Sequence, residues 1–132
     1  MILMSWENIL KQKFDFNSLK WEKHHRSGHW MTHYNFKDLD GGVSIIAGSA
    51  LYSEPRENID DPLGYSSYEV MIEIPDEKEY LVEYFPRNFR IDYDNDGILR
   101  YITKEQLTRY VRMIEDTPEF LEALKPVKNQ GE

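Results

Sequence analysis

The clearest pattern in the chain is the alternation of apolar and polar residues in "SYEVMIEI", residues 67–74. Apolar side chains recur at every second position from Tyr68 to Ile74, whereas Glu69 and Glu73 fall on the intervening positions. Successive side chains of a strand point to opposite faces, so the two sets lie on opposite sides. The pattern predicts an antiparallel strand with one face in a core and the other in water.

Other stretches predict further strands. "HWMTHYNF" (residues 29–36) and "VSIIAGS" (residues 43–49) are rich in aromatic and β-branched residues, and the turn residues between them predict a hairpin. "EYLVEYF" (residues 79–85) and "FRIDY" (residues 89–93) have a similar composition, with Pro86 suited to the turn that joins them. Together these segments predict a meander of antiparallel strands.

The hydrophobic period changes to that of a helix after Thr103. Thr103 and Gln106 have the spacing of a capping box, which marks the start of a helix. The apolar positions that follow at helical spacing are Leu107, Tyr110, Val111 and Ile114. Thr117 and Pro118 predict the start of a second helix, because proline suits the first helical position. Its apolar stripe is Phe120, Leu121 and Leu124.

Near the other end, Ser5 precedes apolar residues at helical spacing, which predicts a short helix that reaches Lys13. The predicted fold class is therefore α+β: an antiparallel β-meander of four to six strands, a short N-terminal helix and a longer C-terminal helical segment. We expect one domain over residues 1–132, with residues 126–132 as a loose tail.

Composition agrees with this class. A length of 132 residues and a hydrophobic share of 40% are typical of one globular domain with its own core. The absence of cysteine excludes a disulfide framework and thiolate metal ligation, and it suits a cytoplasmic protein. No stretch is apolar enough to span a membrane, and the opening "MILMSWENILK" lacks the features of a secretory signal. We therefore expect a cytoplasmic location and no membrane partner.

The net charge of −8 is concentrated in the middle of the chain. Residues 54–96 contain thirteen Asp or Glu against four Lys or Arg, which gives this segment a net charge of −9. Such a field repels phosphate backbones and attracts basic proteins. The charge pattern disfavours direct nucleic-acid binding and predicts a protein partner, with a basic surface as the favoured type.

The most motif-like stretch is "DYDNDGI", residues 92–98. Asp92, Asp94 and Asp96 followed by Gly97 match the first half of an EF-hand-type calcium loop. The twelfth position, which needs a bidentate acid, is Thr103. We therefore interpret the stretch as a hairpin turn between two strands, with Gly97 in the left-handed conformation, and keep a calcium-binding module as the alternative.

All four histidines lie between His24 and His33. On a helix, His29 and His33 would be placed to share a zinc ion. In the predicted strand they are about 13 Å apart, which is too far for one ion. We expect exposed histidines and no metal site.

The segment from Tyr52 to Tyr68 has no periodicity and contains two prolines, a glycine and clustered acids, which predicts a long loop. Tyrosine is enriched at interfaces because it buries a large area at low entropic cost. We interpret the loop and the polar side of the next strand as a docking surface for a basic partner, a role that includes mimicry of nucleic-acid phosphates. Its candidate residues are Tyr52, Glu54, Glu57, Asp60, Asp61, Tyr65, Glu69 and Glu73. A mobile surface loop anchored by tyrosines is the alternative.

Nucleophile elbows, phosphate-binding glycine loops and "HExxH" are absent from the sequence. We assign no catalytic residue and no cofactor. The favoured function is a non-enzymatic protein-interaction module, and an enzyme with scattered catalytic residues is the other alternative. Half-polar strands with a free edge or face also predict a homo-oligomer.

Four features together resemble small accessory proteins of phage or environmental genomes. They are the short capped first helix, the glycine-rich hairpin, the "SYEV" strand and the strand-to-helix junction from Tyr101 to Leu107. Most such proteins lack an assigned function, so the resemblance implies no catalytic residue.

Overall fold

A computed structural model describes residues 14–126. They form a five-stranded antiparallel sheet in which each strand pairs with its neighbours in the chain. The strands are β1 (Glu22–Lys23), β2 (Trp30–Asn35), β3 (Gly42–Ala47), β4 (Tyr68–Glu73) and β5 (Leu99–Ile102). The predicted meander is confirmed, and β2, β3 and β4 lie where the period-two patterns placed strands.

Helices occupy most of the chain after β4. A 3-10 helix (Asp76–Tyr84) and α1 (Arg87–Asp96) lie between β4 and β5, and α2 (Lys104–Asp116) and α3 (Pro118–Leu124) follow β5. Two short 3-10 turns, Phe16–Ser18 and Pro62–Gly64, occur earlier in the chain. The α+β class with a C-terminal helical segment is confirmed. The helix predicted before Lys13 lies outside the described residues, as does nearly all of the predicted tail.

The predicted capping box at the start of α2 is present. The amide of Gln106 donates to Thr103 Oγ1 (3.1 Å), and the amide of Thr103 donates to Gln106 Oε1 (2.9 Å). On α3, Phe120 and Leu124 are buried as predicted, whereas Leu121 is exposed. Adjacent residues are about 100° apart around a helix, so Leu121 cannot share the buried side of Phe120.

All of the helices after β4 contribute to one core on a single face of the sheet. From the sheet, Val43 and Ile45 of β3 and Val70 and Ile72 of β4 are buried. The helical side contributes Leu81, Val82, Phe85, Phe89, Leu107, Tyr110, Val111, Ile114, Phe120 and Leu124. The helices therefore cover one side of the meander, and the opposite side keeps a polar and partly exposed surface.

Two predicted strands are wrong. "EYLVEYF" belongs to the 3-10 helix, and "FRIDY" belongs to α1. The apparent alternation in "FRIDY" is not a two-sided burial pattern, since Phe89 is buried but Ile91 is 58% exposed. Phe89 instead stacks on residues four positions away on either side: Phe85 (centroids 3.9 Å apart) and Tyr93 (6.1 Å). The spacing of Phe89 and Tyr93 is helical, because residues four apart lie on one side of a helix, whereas Phe85 lies before α1 in an extended conformation.

Glu115 of α2 ties the helical layer to the β2–β3 hairpin. Its Oε2 accepts hydrogen bonds from the hydroxyl of Tyr34 (2.6 Å) and from the amide of Lys37 (2.7 Å). Burial raises the pKa of Glu115 above its ordinary value, although both hydrogen bonds act in the opposite direction. Burial and Glu115 also raise the pKa of Tyr34, which keeps its hydroxyl protonated as the donor.

This contact predicts different effects on stability for two substitutions of Glu115. Glu115→Ala should lower the free energy of unfolding by about 1–3 kcal/mol, because the two donors lose their acceptor. Glu115→Gln keeps an acceptor oxygen and removes a charge that burial disfavours, so it should be tolerated. Urea denaturation followed by circular dichroism measures both.

The same pair of proteins tests the pKa of Glu115. A raised folded-state pKa contributes stability that is fully present below the unfolded value, near 4.5, and is lost as pH rises through the folded value. Relative to Glu115→Gln, the wild type should therefore lose stability as the pH rises above about 4.5. A pH-independent difference between the two proteins would contradict the raised pKa.

Candidate functional site

The uncovered side of the sheet, which we call the open face, is built by the alternate residues of β2, β3 and β4. Cross-strand partners point to the same side of a sheet, so the register places Met31 beside Ile46 and Ser44 beside both His33 and Met71. Met31 and Ile46 are half-buried, and Met71 is 43% exposed. Met71 lies diagonally across from Ile46, and the three side chains form an apolar strip on a surface that no helix of residues 14–126 covers.

A recess of about 480 Å³ lies along this strip. It is lined by the apolar side chains of Met31 and Ile46 and by polar residues: Lys20, Glu22, Thr32, His33 and Ser44. Pockets with an apolar floor and a few placed polar groups are typical of binding sites. The recess is large enough to accept one apolar side chain of a partner.

His33, Ser44 and Glu73 form a hydrogen-bonded array at one end of the recess. His33 Nδ1 lies 3.1 Å from Ser44 Oγ, and Ser44 Oγ donates to Glu73 Oε2 (3.2 Å). His33 Nε2 lies 2.9 Å from Asn35 Oδ1 and 3.8 Å from Glu73 Oε1. The array holds the Glu73 carboxylate in a fixed position on the open face.

Serine next to histidine is also the pairing that acyl transfer uses, with a third group that orients the ring. That chemistry needs N–H donors for the oxyanion. Ser44 lies in an interior strand, whose amides are engaged by the ladders with β2 and β4. The amides of β3 next to Ser44 are therefore not free to stabilise an oxyanion.

The carboxylates of the open face come from two strands, β1 and β4. Glu22 lies opposite Met31, and Glu69 and Glu73 flank Met71 on β4. Glu69 Oε1 accepts a hydrogen bond from the amide of Tyr52 (3.0 Å), which connects the open face to the loop between β3 and β4. Two of the predicted binding residues, Glu69 and Glu73, therefore lie in this site, with Tyr52 at its border.

Tyr52 lies against two guanidinium groups. Arg100 is 4.5 Å and Arg56 is 5.3 Å from the centroid of its ring. Arg100 is also paired with Asp96 (2.6 Å). The Arg100 guanidinium lowers the pKa of Asp96, and Asp96 raises that of Arg100. The charge of Arg100 is thus already compensated within the protein and does not offset Glu69 or Glu73.

The three aspartates of the calcium alternative do not form an EF-hand-type loop. Asp92, Asp94 and Asp96 lie on the last turns of α1. Their spacing puts Asp92 and Asp96 on one side of the helix, toward Arg100, and Asp94 on another. The predicted hairpin turn is also wrong, because this segment is the end of a helix. The left-handed conformation of Gly97 is confirmed (φ 77°), and it serves as the C-terminal cap of α1.

The four histidines lie in two different parts of the structure. The ring of His24 stacks on those of His25 (5.1 Å) and His29 (4.9 Å), whereas His33 belongs to the open face. Burial, and then the nearby His24, lower the pKa of His29. Within residues 14–126, no group of three or more His, Asp or Glu side chains is arranged to hold a metal ion.

The long loop between β3 and β4 is folded by its own hydrogen bonds. The buried Tyr65 donates to the carbonyl of Glu57 (2.6 Å) and accepts from the amide of Ile59 (3.3 Å). Tyr68 donates to the carbonyl of Pro62 (2.6 Å), and Asp61 accepts from the amide of Leu63. Tyr65 is therefore an anchor of the loop and has no surface to offer a partner.

The loop acids and the strand acids do not form one surface. Trp30 and Tyr68 point to the covered face, and they hold the carbonyls of Ile59 and Pro62. Asp60 and Asp61 therefore lie toward that side, opposite Glu69 and Glu73. Glu54 and Glu57 are exposed on the loop, where Glu54 accepts a hydrogen bond from Ser67. The structure therefore separates Asp60 and Asp61 from the strand acids, whereas Glu54 is bridged to Ser67 next to β4.

Comparison with known proteins gives no relative. No protein-family model, curated protein or solved structure matches the chain. Among the helices of the described part, none is long and apolar enough to cross a membrane.

The anchoring role of Tyr65 gives a direct prediction. Tyr65→Phe should lower the free energy of unfolding by about 1–3 kcal/mol, because the part-buried hydrogen bonds to the carbonyl of Glu57 and from the amide of Ile59 are lost. The matched control is Tyr80→Phe, which removes a hydroxyl from an exposed ring and should change stability little. Urea denaturation followed by tyrosine and tryptophan fluorescence measures both, and equal effects would contradict the anchoring role.

Proposed function

We propose that this protein is a protein-interaction module whose open face docks a basic amphipathic segment of a partner. The observation that carries the proposal is the apolar strip of Met31, Ile46 and Met71 on a sheet face that none of the helices in the described part of the chain covers. Methionine suits such a surface because its flexible, polarisable side chain adapts to different partners. The partner contributes apolar side chains to the strip and the recess.

The acidic border favours a basic partner. Glu22, Glu69 and Glu73 surround the strip, and Arg100 is already paired with Asp96. Lysine or arginine residues that flank the apolar residues of the partner would be attracted to these carboxylates. Complementary charge also increases the rate of association. This docking mode keeps the expected basic partner and moves its site from the loop to the sheet.

A second copy of the chain is a poorer occupant of the open face. In a two-fold symmetric contact, the same patch of both copies meets, so Glu69 and Glu73 of one copy approach the same acidic border of the other. Like charges at an interface are unfavourable. We therefore expect the isolated protein to be a monomer at micromolar concentration.

The edge strands of the sheet are less suited to binding a partner than its open face. β1 has only two residues, and the pairing of β4 with β5 is irregular next to Tyr101, whose φ is +56°. Short and irregular edge strands resist the addition of another strand. Docking by strand addition is thus disfavoured, which again leaves the open face as the binding surface.

The proposal is tested with three synthetic helical peptides of equal length. One combines leucine on one side with lysine on the other, one replaces lysine with glutamate, and one replaces leucine with serine. The leucine–lysine peptide should bind and should shift the amide resonances of β2, β3 and β4 in two-dimensional NMR spectra. Its affinity should fall with added salt, because the acidic border is exposed to solvent. Equal binding of the glutamate peptide would contradict the charge complementarity.

Two substitutions test whether the peptide binds to the open face. Met71→Lys puts a charge in the apolar strip and should weaken binding about tenfold or more, since burial of a methionine contributes about 1.5–3 kcal/mol. The matched control is Ile91→Lys on α1, which alters an exposed apolar residue outside the open face and should leave the affinity unchanged. Equal effects of the two substitutions would overturn the proposed site.

Sedimentation analysis of the free protein decides between the partner and a second copy. We expect a mass of 15.8 kDa. A dimer that Met71→Lys dissociates would show that a second copy occupies the open face and would overturn the proposal of a basic partner.

A further inference from the structure

A second recess, independent of the open face, lies where the 3-10 helix Asp76–Tyr84 packs against α3. Its volume is about 530 Å³. The rings of Tyr80 and Tyr84 form part of its wall, and Glu119 and Glu122 line it from the first turns of α3. The recess thus combines aromatic surfaces with two carboxylates.

The two tyrosines are unusually exposed for such large rings. Tyr80 is 58% and Tyr84 is 46% exposed. The ring of Tyr84 packs edge-on against the buried Phe120 (centroids 5.7 Å apart), which fixes its orientation. The fold therefore holds the ring of Tyr84 at the surface through its contact with the core.

Their hydroxyl groups differ from those of the structural tyrosines. Tyr34, Tyr65, Tyr68 and Tyr93 each donate a hydrogen bond to a carboxylate or a carbonyl. Among residues 14–126, the hydroxyl groups of Tyr80 and Tyr84 make no such bond. Neither ring is explained by an anchoring role, in contrast to Tyr65.

The charges around the recess favour a cation. Glu119 and Glu122 are three residues apart on α3, and within the described residues neither takes part in a salt bridge or a side-chain hydrogen bond. An anion would be repelled by them, and a neutral apolar ligand would desolvate the carboxylates without compensation. Lys78 also lines the recess, and its positive charge opposes the binding of a cation.

We propose that this recess binds an organic ammonium group through the rings of Tyr80 and Tyr84 and the carboxylates of Glu119 and Glu122. Aromatic faces attract ammonium groups through the quadrupole of the ring, and nearby acids add a direct electrostatic attraction. A divalent metal ion would instead need several oxygen ligands that converge. The aromatic wall therefore selects a methylated or alkylated ammonium over a metal ion.

The test uses choline as the probe and 3,3-dimethylbutan-1-ol as its neutral analogue of the same shape. Choline should shift the NMR resonances of the 3-10 helix and α3 with a dissociation constant in the millimolar range, and the neutral analogue should bind more weakly. Absence of choline binding, or equal binding of the two probes, would overturn the proposal.

Substitutions then assign the binding to this recess. Tyr80→Leu keeps an apolar side chain but removes the aromatic face, so it should weaken choline binding about threefold or more. Tyr101→Leu changes another exposed tyrosine elsewhere on the surface and should leave the affinity unchanged. An unchanged affinity in Tyr80→Leu would contradict the role of the ring.

The roles of the negative and the positive charges around the recess are tested by removing one of each. Glu119→Gln should weaken binding, whereas Glu57→Gln in the distant loop should not. Lys78→Gln removes the opposing charge and should strengthen binding. Equal effects of the two glutamate substitutions would show that choline responds only to the net negative charge and would overturn the site.

A last comparison identifies the source of the ammonium group. Nα-acetyl-trimethyllysine amide represents a modified side chain of a protein, and choline represents a free small molecule. Tighter binding of the lysine derivative indicates a protein ligand, and tighter binding of choline indicates a metabolite. Either result supports an ammonium site, and binding of neither overturns it.

Discussion

The structure depends on the alternation of side chains along β4, which pairs with β3 on one side and β5 on the other. Tyr68, Val70 and Ile72 enter the core, and the residues between them face solvent. A shift of one residue in the pairing would bring Glu69 and Glu73 into the core and expose the apolar set. Burial of two unpaired carboxylates is so unfavourable that the register of β4 is fixed.

This constraint also builds the open face. Once β4 is in register with β3, Met71 lies next to Ser44, and Glu73 reaches the array that contains His33. The apolar strip and its acidic border therefore follow from the packing of the opposite face. The packing of the core side chains therefore fixes the positions of open-face residues that are not themselves part of the core.

The sequence predicted correctly those elements for which a single local pattern, such as one hydrophobic period or a capping box, is present. The alternation in β4 and the capping box of Thr103 and Gln106 depend on local residues only, and both are present. The region between β4 and β5 failed because "FRIDY" satisfies two periods at once. Phe89, Ile91 and Tyr93 alternate as in a strand, but Phe89 and Tyr93 are also four residues apart, as in a helix. The stack of Phe85 on Phe89 favours the helix, and this contact depends on tertiary packing.

The proposed binding surface was only partly predictable for a similar reason. The alternation placed Glu69 and Glu73 on the wet side of a strand, but the meeting of Met31, Ile46 and Met71 requires the register of three strands. The loop acids were grouped with the strand acids because they are close in sequence. Their separation results from Trp30 and Tyr68, whose polar groups hold loop carbonyls on the covered side of the sheet. Buried backbone groups must find partners, and here the partners decide the path of the loop.

The sequential order of the strands has a consequence for folding kinetics. The β2–β3 hairpin closes across residues 36–41 and depends on no other part of the sheet, whereas β4 must close residues 48–67 before it can pair. The entropic cost of closure rises with loop length, so the hairpin is expected to form first and β4 to add to it later. The strip of Met31, Ile46 and Met71 is complete only after β4 has paired. A chain that has folded no further than its hairpin therefore lacks the complete surface that we propose for docking.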